Sequence, residues 1–159
     1  MASQVEVTIR NTITRMINAS ASINRRFKNP FREHLFLSGI HAPMTEELLL
    51  EALPVTGELP STLKGTYARI GPNPYKVDPR GHHWFVGDGM VHGIRISNGQ
   101  PQWYRNRFIK SQALERQGGP KAARGPRRGG RDTVNTNVLR LAGKTLALVE
   151  SGPFPFELD

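Results

Sequence analysis

The chain has 159 residues, 37% hydrophobic and 22% charged, with no cysteine and a formal net charge of +9. That length predicts one domain and the balance excludes wholesale disorder, while the missing cysteines exclude disulfides and thiolate metal centres. No apolar run reaches the length of a membrane span, and no secretory h-region is recognisable.

The charge is unevenly placed. Residues 10–32 carry six basic residues and no acid, residues 105–131 carry nine basic residues and one acid, and the remainder is mildly acidic. In the first basic segment Val5, Ile9, Ile13, Met16, Ile17 and Ile23 recur at the helical period, within about a third of the circumference. Arg15, Arg25 and Arg26 fall outside that stripe. The pattern predicts an amphipathic helix in an N-terminal arm, residues 1–27. Three uses stay open: lying on an anionic membrane surface, packing on the body of the protein, or serving as an organelle transit peptide.

Beyond the arm, residues 28–159 read as antiparallel strands. Thr66–Ile70 is rich in β-formers, and Gly71-Pro72-Asn73-Pro74 then predicts a turn, because each proline excludes helix for itself and its predecessor. Gly87-Asp88-Gly89 is a second turn. It leads into a strand Met90–Ser97 with Met90, His92, Ile94 and Ile96 on one face. Asn98-Gly99 between alternating runs predicts a hairpin. In the return strand Gln102–Ile109, Trp103, Arg105, Arg107 and Ile109 alternate with Gln102, Tyr104, Asn106 and Phe108. A further pair is expected over Val134–Leu141 and Lys144–Glu150, turning at Ala142-Gly143. Helix is expected only near the N-terminus.

Between these strands, residues 116–131 are Arg-, Gly- and Pro-rich without apolar periodicity, which predicts a mobile loop. Alone, the segment is similar to arginine–glycine RNA-binding tracts, whose arginines neutralise phosphates. A solvated insertion between strands is the favoured reading, since strand signals resume directly after it.

Several blocks in order carry a resemblance. They are Leu53-Pro-Val-Thr-Gly-Glu-Leu-Pro-Ser-Thr-Leu-Lys-Gly65, Arg69-Ile-Gly-Pro-Asn-Pro74, Trp84-Phe-Val-Gly-Asp-Gly-Met-Val-His92, Tyr104-Arg-Asn-Arg-Phe108, Val134-Asn-Thr-Asn-Val138 and Leu146-Ala-Leu-Val-Glu-Ser-Gly152. From about Phe27 to Asp159 the chain resembles the N-terminal portion of the carotenoid cleavage oxygenases, non-haem iron dioxygenases. The motif positions are Arg69, Gly71, Pro72, Asn73, Pro74, Gly87, Asp88, Gly89, His92, Asn135 and Asn137. Val86 departs from the pattern, where many relatives carry an acid, and the basic loop is unusual in length and charge.

The resemblance implies an all-β fold, the N-terminal part of a seven-bladed β-propeller. It also implies a single Fe(II) held by four histidines, three of them hydrogen-bonded to glutamates that orient the rings and raise their basicity. Carotenoids, apocarotenoids and related polyenes and stilbenes are the implied substrates, cleaved at a double bond by O₂. Glu150 aligns with one of the orienting glutamates; a carboxylate on the face of Leu146 and Leu148 is costly unless paired. The bland reading is a strand-end glutamate reaching water.

None of the five histidines stands at a family ligand position. His82 and His83, as adjacent strand residues, would point to opposite faces. His34 and His41 lie in irregular segments, and His92 reads as a buried, hydrogen-bonded motif histidine. No catalytic or metal-ligating residue is therefore assigned, and no cofactor is expected to bind this chain alone. The chain is expected to be a truncated frame, split gene product or fragment. Exposed strand edges would leave such a piece poorly soluble or partly unfolded. Its expected place is cytoplasmic, with peripheral membrane contact through the arm. Nucleic-acid binding through the basic loop, or an inert truncated gene product, is the alternative.

Overall fold

A computed structural model describes residues 4–27, 34–127, 132–150 and 152–158. The chain divides into two compact units, one formed by residues up to His41 with Val77–His83, the other by Ala42–Lys76 and the chain from Trp84 onward.

In the first unit the predicted arm is helix α1, Gln4–Phe27. Thr12 and Ser20 return their hydroxyls to the carbonyls of Thr8 and Met16 at 2.9 Å, so neither competes with the helical backbone for a donor. Ile13, Met16, Ile17, Ile23 and Phe27 are exposed. A 3₁₀ turn covers Gly39–His41. The histidines here are not strand residues. His34 meets His82 edge-on at 5.4 Å, and Phe36 contacts His41 and His83. Arg80 and Asp78 form an exposed ion pair at 2.9 Å.

The second unit holds two antiparallel sheets. Four strands, β1 Leu49–Leu50, β2 Gly65–Pro72, β3 Gly89–Ser97 and β4 Gln100–Phe108, are ordered β1-β4-β3-β2. Asn98 (φ 52°) and Gly99 (φ 68°) supply the two left-handed residues of the predicted hairpin turn. The return strand starts earlier than expected. Arg95 faces Trp103 but Ile96 faces Pro101, so Gln102 is an extra residue in a bulge. A proline with no N–H to donate is tolerated at such a break. The first strand also runs further than expected: Gly71 and Pro72 stay paired, with Met90 and Gly89, and the turn begins at Asn73.

A short helix α2, Gln112–Arg116, follows β4 and corrects the expectation of helix only at the N-terminus. Five residues are too few for a periodicity signal, and Ser111 caps it by accepting from Leu114 N at 3.1 Å. The second sheet is β5 Asn137–Leu141, β6 Lys144–Leu148 and β7 Phe156–Leu158, in chain order. Ala142 (φ 49°) and Gly143 (φ 80°) make its hairpin turn. Ile109, Val134 and Ala147 form a core with Ile70 and Val91 of one sheet and Phe156 and Leu158 of the other. Met90, Phe108 and Leu114 form a second core, with Met44 against it.

Candidate functional site

Of the motif residues, Asn73, Gly87, Asp88 and Asn135 come together around Gly89. Asn73 behaves as a backbone surrogate: its Oδ1 accepts from Met44 N at 2.8 Å and its Nδ2 donates to Met44 O at 2.9 Å. Its own N–H donates to Asp88 O at 2.7 Å. Asp88 is 5% exposed and its carboxylate accepts from Tyr75 N at 3.1 Å and Gln117 Nε2 at 3.0 Å. A burial of that depth is tolerable only because both oxygens have donors. Asn135 Nδ2 donates to Gly87 O at 3.0 Å, fastening the second sheet's lead-in to the turn. A side chain at Gly87 would press on the backbone of Asn73. One at Gly89 would strike the carbonyl of Val134. Gly71, by contrast, has open space where a side chain would stand. These residues thus interlock two sheets and a helix through backbone, amide and carboxylate groups.

Arg69 and His92 lie on the other side of the sheet from the inter-sheet core. In register, Arg69, His92 and Asn106 stand side by side, as do Tyr67, Ile94 and Tyr104. His92 Nδ1 is 2.8 Å from the Tyr104 hydroxyl. Burial pushes the His92 ring below the ordinary histidine range, and the Arg69 guanidinium adds to this. Burial pushes the Tyr104 hydroxyl up, with Arg69 opposing. Met44, Tyr67, Arg69, His92, Ile94 and Tyr104 line a cavity of about 260 Å³. Asn106 is wholly buried: its Oδ1 accepts from Leu48 N, and its Nδ2 donates to Glu46 O at 3.1 Å. His92 is hydrogen-bonded, and half-buried where a buried histidine was expected; Tyr104 and Asn106 stand in the Tyr104–Phe108 block without being singled out by it, and Gln117 lies in no motif.

Glu150 lies beyond the end of β6, two residues past Leu148, and is exposed. The strand was expected to reach it. The opposing segment leaves the ladder before Asn137, because Val134 and Asn135 are committed to the Gly87–Gly89 turn. The Thr136 hydroxyl donates to Glu150 Oε2 at 3.1 Å. Asn137 opens β5, exposed.

The basic segment is more anchored than a free loop. Arg116 closes α2, Gln117 ties Asp88 to Lys76 N, and Ala123 N donates to Lys110 O at 2.8 Å. Arg127 pairs with buried Asp132 at 2.7 Å. Residues 128–131 lie outside the described residues. Among the described residues no three His, Asp or Glu side chains converge on a metal-sized site, so the described residues do not fit an iron centre of four histidines. His82 is held below the ordinary histidine range by burial, then by the charges of His34 and His83.

Two antiparallel sheets share one core, and the structural neighbours give this arrangement as the N-terminal part of a β-propeller. Residues 41–159 match the family described as retinal pigment epithelial membrane protein. Over 127 residues the chain is 47% identical to a carotenoid cleavage oxygenase of Mycobacterium tuberculosis, covering 77% of this chain and 25% of that protein. Over 84 residues it is 43% identical to a carotenoid 9,10(9',10')-cleavage dioxygenase 1 of Phaseolus vulgaris, covering 53% and 15%. Among solved structures it is similar to a lignostilbene dioxygenase of Pseudomonas brassicacearum (TM-score 0.66, 28% identity, 83% of this chain and 30% of that one). It is also similar to a cobalt-substituted apocarotenoid oxygenase of Synechocystis (TM-score 0.59, 27% identity, 74% and 28%). The chain belongs to the carotenoid cleavage oxygenase family, and it spans about a quarter of the length of the mycobacterial relative.

Proposed function

We propose that this chain supplies the opening blades of an Fe(II)-dependent dioxygenase that cleaves a double bond of a carotenoid- or apocarotenoid-like polyene with O₂. The 47% identity over 127 residues to a carotenoid cleavage oxygenase carries this reading. The chain's own part is scaffold. The Asn73–Asp88–Asn135 clamp sets the second sheet against the first, and Glu150, two residues beyond β6, is offered to the outer nitrogen of an iron-bound histidine. The histidines themselves are assigned to sequence other than these residues. Glu150 is reachable for that role, since Thr136 holds only one of its oxygens among the described residues.

The test is a chimaera in which this chain replaces the matching quarter of the mycobacterial relative. It is expected to bind one iron and cleave an apocarotenal. Glu150→Gln is expected to lower iron affinity about 10- to 100-fold, the usual cost of losing a histidine-orienting carboxylate. A folded chimaera that binds no iron refutes the scaffold reading; undiminished iron affinity in the variant refutes the role of Glu150.

The arm is assigned to a membrane surface, where such substrates dissolve. Its support is the exposure of Ile13, Met16, Ile17 and Ile23 in a helix with basic residues outside the stripe. No helix among the described residues is long and apolar enough to cross a membrane. Reversing Arg15, Arg25 and Arg26 to Glu is expected to release the chain from vesicles rich in phosphatidylserine. Each basic side chain contributes about 1 kcal/mol at such a surface, so co-sedimentation that survives the triple reversal would exclude this role.

A further inference from the structure

The basic segment after α2 carries a charge that the scaffold role does not use. Its cations converge from separate parts of the chain. Lys76 Nζ lies against Gly118, where an added side chain would meet it at 3.3 Å. Lys110 is drawn beside Arg124, because its carbonyl accepts from Ala123 N at 2.8 Å. Lys76, Lys110, Lys121 and Arg124 are exposed, and none of the four makes an ion pair among the described residues. The two acids of residues 110–132 are engaged elsewhere. Glu115 Oε2 accepts from Ala122 N at 3.2 Å, and buried Asp132 serves Gln112 N, Ala113 N and Arg127. Burying such cations without a counter-charge is strongly unfavourable, so their exposure follows from their chemistry and another sheet does not pack on them.

We infer that this segment is an electrostatic docking surface for a bilayer rich in acidic phospholipid. Clustered Lys and Arg are drawn to the negative potential of such a leaflet, within a Debye length of it. Between Gln117 and Arg131 no side chain is more apolar than alanine or proline, so the contact is Coulombic and nothing there inserts into hydrocarbon. Single-stranded RNA is the competing polyanion, and its sites add aromatic platforms on which bases stack. Residues 109–131 contain no Phe, Tyr or Trp. The segment is also pinned, at Lys110–Ala123 and at Arg127–Asp132, whereas arginine-rich RNA tracts fold around their ligand. The inference rests on the membrane setting proposed for the arm, but on different residues. One interfacial signal holds a protein weakly, and a polybasic patch supplies the second.

The test reads trypsin cleavage after Lys121 and Arg124 in the unaltered chain, with exposed Lys64 as the internal reference. Vesicles of equal parts phosphatidylserine and phosphatidylcholine are expected to protect Lys121 and Arg124 while Lys64 is still cut. Pure phosphatidylcholine is expected to protect none of them. The same protection is expected in the chimaera, where the remaining blades are present. Changing Lys76, Lys110, Lys121 and Arg124 together to Gln is expected to weaken vesicle binding at least about tenfold, since each cation near such a surface contributes about fivefold. Cleavage that phosphatidylserine leaves unchanged in either protein overturns the proposal, as does undiminished vesicle affinity in the fourfold variant. Protection of both sites by polyuridylate and not by vesicles would assign the surface to RNA instead. The two membrane readings fail differently. If the arm is not the contact, reversal of Arg15, Arg25 and Arg26 leaves co-sedimentation and protection intact; if the segment is not, the chain co-sediments with both sites still cut.

Discussion

Gly89→Ala is expected to destabilise the two-sheet unit by about 3 kcal/mol or more, the upper range for forcing bulk into a filled site. The cause is contact, not backbone conformation. The new methyl would strike the Val134 carbonyl, which belongs to the main chain and cannot rotate aside, and would also crowd Ile109. Gly89 is held from both directions: its carbonyl accepts from Ile109 N at 2.7 Å, and it pairs with Pro72 across the sheet. Relief would have to come from moving Val134, and with it the core shared by the two sheets. Gly71→Ala, on the neighbouring strand opposite Met90, is the control. It has open space, so the change is expected to cost nothing and to gain up to about 1 kcal/mol by lowering chain entropy in a strand. Urea midpoints of the two variants check this, and a Gly89→Ala midpoint matching that of Gly71→Ala would sink the clamp as described.

Asp132→Ala is expected to cost about 2–4 kcal/mol, the range for orphaning buried partners of a carboxylate. Asp132 is 3% exposed and serves three donors: Gln112 N at 2.6 Å, Ala113 N at 3.2 Å and Arg127 Nη1 at 2.7 Å. Two of these open α2, where a negative charge also suits the helix N-terminus. The third holds the far end of the basic segment. Removal therefore leaves the first two helical N–H groups without their acceptor, with Ser111 still capping, and frees Arg127 as well. Arg127→Gln is expected to cost less, because Arg127 is the more exposed partner and its guanidinium can be hydrated. Trypsin is expected to cut within residues 116–127 faster in Asp132→Ala than in the unaltered chain. Unchanged cleavage and an unchanged urea midpoint would show that the segment is held by something else.

The basic segment shows where sequence reading reached its limit. Its glycines, prolines and arginines argue for a solvated loop, and nothing local reveals that a single buried aspartate beyond it collects Arg127 and the start of α2. Likewise the apolar pattern of Lys144–Glu150 predicts one continuous strand. The ladder ends at Leu148 because the opposing chain is drawn away to the Gly87–Gly89 turn, a contact from 48 residues earlier in sequence. The two-residue strand β1 has too little length for any alternation signal, and it exists because Leu49 and Leu50 pair with Arg105 and Tyr104.

The amino-acid sequence by itself determined the helical arm, the three longest strands, both hairpin turns and the family, because these rest on local period, turn chemistry and ordered motif blocks. Which side chains share the open face was decided only in three dimensions. An unbroken Asn98-Gly99 hairpin would set His92 beside Arg105 and Ile94 beside Trp103. The extra residue at Gln102 shifts the register by one, and in a period-two ladder that exchanges faces, bringing Asn106 and Tyr104 to His92 and Ile94 instead. The Arg69 cavity therefore owes its walls to a bulge beside a proline, a feature of pairing and not of either strand alone.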